Sequence, residues 1–364
     1  MALERVDPAE VEIDAEELAA ARAVLEEGVS EGDYPGAVLL VVRHGKIADI
    51  ATVGRLGGDG SSEVVENSIY DIASVTKPVA TASSLMILRD RGEIRMDQRV
   101  SEFFPGLPYL KDVTLHDLAT HTSGLPAWRD YYSDGRTRAQ VIESILHEPL
   151  ENPTGEKYVY SCLGYITLTA IIEKVTGDCL SDFAKENIFK PLGMSETGFN
   201  PSNDLLDRIA PTAHCPMRDG ILHGVVHDGN ARAMDGVGGN AGLFSTVRDL
   251  AVFGQMLLNG GVLDGKMILR PHSVELMLQP QISSEIGGQT YGLFAHPNEM
   301  LICAATFSDR VVGHSGFTGT LLLVDPILDS VVVLLTNRVF MDKDGTDFLR
   351  RRRPLNKHIA AAML

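Results

Sequence analysis

The chain has 364 residues, 44% of them hydrophobic and 22% charged, a globular composition long enough for about two compact units. Lysine plus arginine number 32 against 49 for aspartate plus glutamate, and the resulting net charge of −17 gives phosphate-neutralising nucleic-acid binding no support. The longest apolar runs, Ala37 to Val42 and Ser330 to Thr336, are strand-length and fall short of the roughly 18 residues a membrane span needs.

The acidic amino terminus, Met1 to Glu17, lacks the basic and then apolar regions of a secretory signal, so the chain reads as cytoplasmic. Next, Leu18, Ala21, Leu25 and Val29 recur at helical spacing, predicting an amphipathic helix from Ala15 to about Glu27. Gly36 to Arg43 and Ile47 to Val53, joined by His44-Gly45-Lys46, predict a hairpin. Helical periodicity then takes over at Ala80 to Arg89, Leu115 to Ala119, Arg138 to Leu146, Leu163 to Val175 and Leu250 to Leu258. Thr246 and Asp249 make a capping-box-like start for the last of these, and Gly260-Gly261 a stop. Arg310 to Gly313, Thr318 to Val324 and Ser330 to Thr336 predict three short strands, and Phe348 to Leu364 a closing helix that Pro354 interrupts. The four cysteines, Cys162, Cys179, Cys215 and Cys303, form no CxxC pair and read as reduced, mostly buried thiols. The simplest assembly of these pieces is an α+β fold: an antiparallel sheet fed from both ends of the chain, with terminal helices and an inserted mainly helical domain.

The sharpest local feature is Asp71-Ile72-Ala73-Ser74-Val75-Thr76-Lys77-Pro78. If a helix begins near Ser74, hydroxyl and ammonium share one face of its first turn, where Pro78 has no backbone donor to lose. A lysine whose pKa is lowered by burial can accept the serine proton. Two further segments stand downstream: Tyr160-Ser161-Cys162, just before the helix from Leu163, and Gly313 to Gly319, which contains His314-Ser315-Gly316.

In order and spacing these motifs resemble the serine β-lactamase and penicillin-binding-protein-like hydrolases, specifically the branch of class C β-lactamases, family VIII carboxylesterases and D-stereospecific peptidases. The resemblance spans about residues 15 to 340. It rests on Ser74-x-x-Lys77, on Tyr160-Ser161-Cys162 in place of Tyr-x-Asn, and on His314-Ser315-Gly316 in place of Lys-Thr-Gly or His-x-Gly. Arg91 to Ile94 with Val100 to Pro105, Leu118 to Pro126 with its His121-Thr122-Ser123-Gly124-Leu125-Pro126, Pro191 to Met194, and Ala241 to Gly261 around Gly242 to Thr246 match as well. A β-lactamase/transpeptidase-like fold is implied, with a sheet domain of residues 1–78 and 235–364, a helical domain of 79–234, and a catalytic cleft between them.

The resemblance further implies an acyl transfer in which Ser74 attacks a carbonyl and Lys77 and Tyr160 share the proton transfers, either of them serving as acylation base. The oxyanion hole would be the N–H groups of Ser74 and Phe317, with Gly316 allowing close approach of the strand that also presents Ser315. His314, standing for a lysine, would hold a substrate carboxylate only when protonated. Cys162 replaces an asparagine whose amide orients the substrate, and a thiol is a weak donor and acceptor. Both departures favour esters over β-lactams. Trp128, with Tyr131 and Tyr132 behind it, would line the cleft as an aromatic wall, and His121 lies on the same loop.

Two other clusters carry less. His214, Cys215, His223, His227 and Asp228 are zinc-binding types, but their spacing matches no standard ligand pattern, so neither metal nor cofactor is expected. His227-Asp228 would instead line the cleft rim or fix the loop leading to Gly236-Val237-Gly238-Gly239. The run Gly236 to Gly242 lacks the Lys-Ser/Thr ending of a phosphate loop and reads as close backbone packing or a cleft margin. The leading expectation is a carboxylesterase on short acyl esters with weak β-lactamase activity, its partner a small ester, lactam or amide. The alternatives are a D-amino-acid peptidase or amidase on peptidoglycan-like substrates and a non-catalytic binding protein of the same fold.

Overall fold

The computed structural model describes residues 3–215, 220–295, 306–341 and 346–364. The hairpin forms as expected, with strands Gly36–Arg43 and Lys46–Gly54. His44 at φ 51° and Gly45 at φ 72° supply the pair of left-handed residues whose turn matches the strands' twist. From the other end of the chain come Val312–Ser315, Leu321–Asp325 and Ser330–Thr336. Ser330–Thr336 runs antiparallel to Gly36–Arg43, from Ala37 opposite Thr336 to Arg43 opposite Ser330. The two ends of the chain thus share one sheet. Its six strands lie in the order Phe294–Ala295, Val312–Ser315, Leu321–Asp325, Ser330–Thr336, Gly36–Arg43, Lys46–Gly54.

Strand alternation sorts the apolar side chains onto two covered faces. Val38, Leu40, Val42, Leu322, Val331, Val333 and Leu335 point into the larger core, against Phe253, Met256 and Leu257 of the helix Val247–Leu258. Leu39, Val41, Leu321, Leu323, Val332 and Leu334 point the other way, against Leu18, Ala21 and Leu25 and against Leu355 and Ile359. These last two groups belong to the helices Ala15–Ser30 and Thr346–Ala361, which pack on each other across that face. At about 1.5–3 kcal/mol per fully buried aliphatic side chain, the strands' near-continuous hydrophobicity is explained by burial on both sides.

Several boundaries move. The closing helix runs through Pro354, with buried Arg352 donating to the carbonyls of Gly319 (3.0 Å) and Thr320 (2.8 Å). Thr246 caps its helix as read, but the buried Asp249 carboxylate turns away from the cap, accepting from Glu196 N–H at 2.9 Å and Thr197 Oγ1 at 2.8 Å. Periodicity missed the edge strand Phe294–Ala295 and a three-stranded sheet of Tyr70–Asp71, Leu243–Ser245 and Gly198–Phe199, whose members are two or three residues long. Cys162 and Cys179 are free and half-buried rather than buried, and Cys303 lies outside the described residues. Among the described residues no helix is long and apolar enough to cross a membrane.

Candidate active site

Ser74 sits in a single 3₁₀ turn, Ala73–Val75, that follows the strand Tyr70–Asp71. The chain does not continue as a regular α-helix. Lys77–Ala82 is a π-turn and the α-helix proper is Ser83–Asp90. Pro78 has no N–H to donate to the preceding turn, and its carbonyl instead accepts from Ser83 Oγ, five residues on, at 2.8 Å. The spacing argument nevertheless holds: Lys77 Nζ lies 3.1 Å from Ser74 Oγ. Ala73 holds φ 47°, a left-handed conformation that costs a non-glycine residue about 1–2 kcal/mol.

Lys77 is wholly buried, and the same amine reaches the Asn240 carbonyl at 3.0 Å and Cys162 Sγ at 3.7 Å. Burial, the dominant cause, lowers its pKa from the ordinary lysine value, against opposing pulls from Cys162 and Asp228. Asn240 belongs to the glycine run, which packs closely as expected. A Cβ at Gly239, at φ 74°, would lie 1.8 Å from Thr169 Oγ1 and 2.9 Å from Thr81 Oγ1. The glycine brings the Asn240 carbonyl down onto the lysine.

Tyr160 reaches the same point from the segment before the helix Cys162–Thr176. Its ring centroid is 4.7 Å from Lys77 Nζ. Burial around the hydroxyl pushes its pKa well above the usual phenol value, so the group is a neutral O–H at pH 7. Cys162 opens the helix one residue after its N-cap, Ser161, whose Oγ donates to Pro126 O at 2.6 Å and so ties the helix to the His121–Pro126 loop.

His121 stands behind these groups, only 1% exposed, its ring 4.6 Å from that of Tyr160 and 5.1 Å from that of Tyr165. Its Nδ1 accepts the Ser161 N–H at 3.1 Å, and burial drives its pKa well below the normal value. It backs Tyr160 from a buried position. Trp128 is exposed, edge-on to Tyr132 with ring centroids 6.4 Å apart.

The strand Val312–Ser315 carries His314 and ends against the serine turn. Thr318 Oγ1 donates to Asp71 O at 2.7 Å, Thr320 Oγ1 to Ile72 O at 2.9 Å, and Gly316 N to Thr320 O at 2.8 Å. Phe317 follows, 61% exposed, its ring stacked on His227 at 5.5 Å with the Arg338 guanidinium 4.8 Å from its centroid.

His314 departs from expectation. It is fully buried, stacked 4.3 Å from Phe294, and its Nδ1–H donates to Ser315 O at 2.8 Å. Burial first, then Lys77, pushes its pKa down to about 3, so at neutral pH it carries no charge with which to hold a carboxylate. Nothing near His314 in the chain announces the stacking partner, which comes from the short edge strand.

The histidine-rich stretch disperses. His214 and Cys215 form a two-residue ladder with Gly220–Ile221, and His223 Nε2 meets the carbonyls of Leu206 and Ile209 at 3.0 and 2.9 Å. Asp228 caps the helix Gly229–Ala233, accepting from Ala231 N at 2.7 Å. No group of three metal-ligating side chains occurs among the described residues.

Residues 21–355 match the model of the Beta-lactamase family. The chain belongs to that family. A protein of Escherichia coli (strain K12) named "Putative D-alanyl-D-alanine carboxypeptidase" is 31% identical over 345 residues, covering 84% of this chain and 79% of that protein. A Bacillus subtilis protein named N-acetylmuramyl-L-alanine amidase is 30% identical over 356 residues, covering 86% and 79%. The hydrolase EstCE1, described as having promiscuous acyltransferase activity, superposes with a TM-score of 0.77 at 21% identity over 94% of this chain and 98% of its own, a likeness of fold. As a member of the Beta-lactamase family with the β-lactamase/transpeptidase-like fold, the protein is a serine hydrolase.

Proposed function

We propose that the protein is a carboxylesterase that cleaves short acyl esters through an acyl-enzyme on Ser74. The observation that carries this reading is the buried Lys77 amine, 3.1 Å from Ser74 Oγ and with its pKa lowered. Ser74 Oγ attacks the ester carbonyl carbon while its proton passes to Lys77 Nζ. The oxyanion is met by the N–H groups of Ser74 and Phe317. Tyr160, a neutral phenol, donates its proton to the departing alkoxide and is reprotonated from Lys77. Water then attacks the acyl carbon, and the acid leaves as Ser74 regains its proton. General acid–base transfer of this kind contributes about 10²–10⁴ in rate, and each oxyanion donor about 10²–10³.

Two features support esters over amides and lactams. Cys162 offers a weakly hydrogen-bonding thiol where an amide-orienting side chain is needed, and His314 is uncharged. An alkoxide leaves readily without that orientation, whereas an amine does not.

A second reading, hydrolysis of D-alanyl peptides, is favoured by the name of the Escherichia coli relative. One preparation assayed on p-nitrophenyl butyrate, nitrocefin and a D-alanyl-D-alanine peptide separates the two. The ester reading expects kcat/KM highest on the ester by at least tenfold; a peptide faster than the ester overturns it.

A further inference from the structure

Asp71 is 1% exposed and takes no part in the proton transfers above, yet both of its carboxylate oxygens are committed. Oδ1 accepts the Ala73 N–H at 2.8 Å, and Oδ2 accepts the His227 N–H at 2.7 Å, from a residue 156 positions away. The first bond closes the tight turn that keeps Ala73 at φ 47° and so sets where Ser74 points. The second fixes the backbone of His227, whose ring supports Phe317 from one side. Asp71 also receives Thr318 Oγ1 on its backbone carbonyl, one residue beyond Phe317. One side chain therefore braces both residues assigned as oxyanion donors.

We propose that Asp71 is a positioning residue that holds the N–H groups of Ser74 and Phe317 in register for the transition state. The inference rests on the serine-hydrolase reading of Ser74 and Phe317. It does not depend on which acyl donor is preferred. A charged carboxylate is the group that suits this place, because it accepts two N–H donors at once, whereas an amide offers one oxygen and presents an NH₂ to the second donor.

The charged and titratable groups around it are Asp228, Arg232 and His227. Arg232 donates to Val226 O at 2.9 Å and His227 O at 2.5 Å and favours the carboxylate; Asp228 disfavours it; His227 is kept neutral by burial. Burial outweighs the two N–H bonds and raises the Asp71 pKa to about 6. Above that value both donors are held. Below it the protonated acid loses one acceptor and the brace slackens.

The test compares wild type with Asp71→Asn on p-nitrophenyl butyrate and with butylboronic acid, which forms a tetrahedral adduct on a serine nucleophile and places an oxygen in the oxyanion hole. A displaced rather than deleted donor should lower kcat/KM about 10- to 100-fold with KM within twofold, and weaken the boronate by the same factor. The ratio of wild-type to D71N kcat/KM should be largest above pH 6 and shrink below it, a dependence that mere loss of stability does not produce. If D71N does not fold, Thr318→Val, which removes only the bond to the Asp71 carbonyl, should show the same matched loss on a smaller scale. The proposal is overturned by kcat/KM within threefold of wild type, by a loss confined to KM, or by unchanged boronate affinity. A wild type that boronate does not inhibit would instead overturn the serine-hydrolase reading itself.

Discussion

Gly316 offers the sharpest structural perturbation. Its Cα lies so close to the serine turn that a Cβ built there would be 2.1 Å from Thr320 Oγ1, 2.5 Å from Ile72 O and 3.3 Å from Ala73 Cβ. The hydroxyl of Thr320 can rotate away at the cost of its bond to Ile72 O. The Ile72 carbonyl cannot, because it is backbone in the turn that carries Ser74. A carbon–oxygen contact relaxes at about 3.3 Å, so Gly316→Ala has to separate strand and turn by about 0.8 Å. The adjacent Phe317 N–H moves with the strand. A displacement of about 1 Å costs on the order of 10²-fold in rate, equivalent to about 2.7 kcal/mol of transition-state stabilisation. The assay is kcat/KM for p-nitrophenyl butyrate alongside the rate of fluorophosphonate labelling of Ser74, with the thermal midpoint as a control for folding. Both rates should fall about 100-fold while Ser74 remains labelled at long times. A G316A protein that folds and keeps kcat/KM within threefold of wild type would refute the close-approach account of this strand.

Two further outcomes are expected. Cys162→Asn replaces a thiol that lies 3.7 Å from Lys77 with an amide, and should raise the ratio of amide or lactam turnover to ester turnover several-fold in the same substrate panel; an unchanged ratio contradicts the orienting role of this position. His314 has its pKa lowered to about 3 in the folded state against 6.5 in the unfolded chain, so between those values the unfolded chain binds the extra proton and stability drops as pH falls. From pH 7 to pH 4 this amounts to about 3 kcal/mol, and His314→Gln should lose correspondingly less stability over that interval in urea titrations at the two pH values. Equal losses in the two proteins would show that His314 is not held neutral.

The chemistry-bearing residues were legible because acyl transfer constrains residue type and short-range spacing. Ser74 and Lys77 are three apart, and the structure brings them within hydrogen-bonding distance. The hairpin, the terminal helices and the strands from both ends were legible because their apolar patterns are long. What stayed hidden depends on contacts remote in sequence. The bond from His227 N–H to Asp71 spans 156 residues and uses a backbone donor, which no residue type announces. The Asn240 carbonyl on Lys77 is likewise backbone, though the surrounding glycines pointed to close packing there. His314 read as an anchor for a carboxylate when protonated, because its sequence neighbours say nothing of Phe294, whose ring stacks on it. The π-turn at Lys77–Ala82 also went unread, since helical periodicity tolerates one widened turn.

The central claim is a covalent acyl-enzyme on Ser74, and intact-protein mass spectrometry reads it directly. Wild-type protein quenched in acid during turnover of a slowly hydrolysed acyl ester should gain the mass of the acyl group, mapped by peptide analysis to Ser74, and Ser74→Ala should gain none. An adduct mapped to another nucleophile such as Cys162, or full ester turnover by Ser74→Ala, would contradict it.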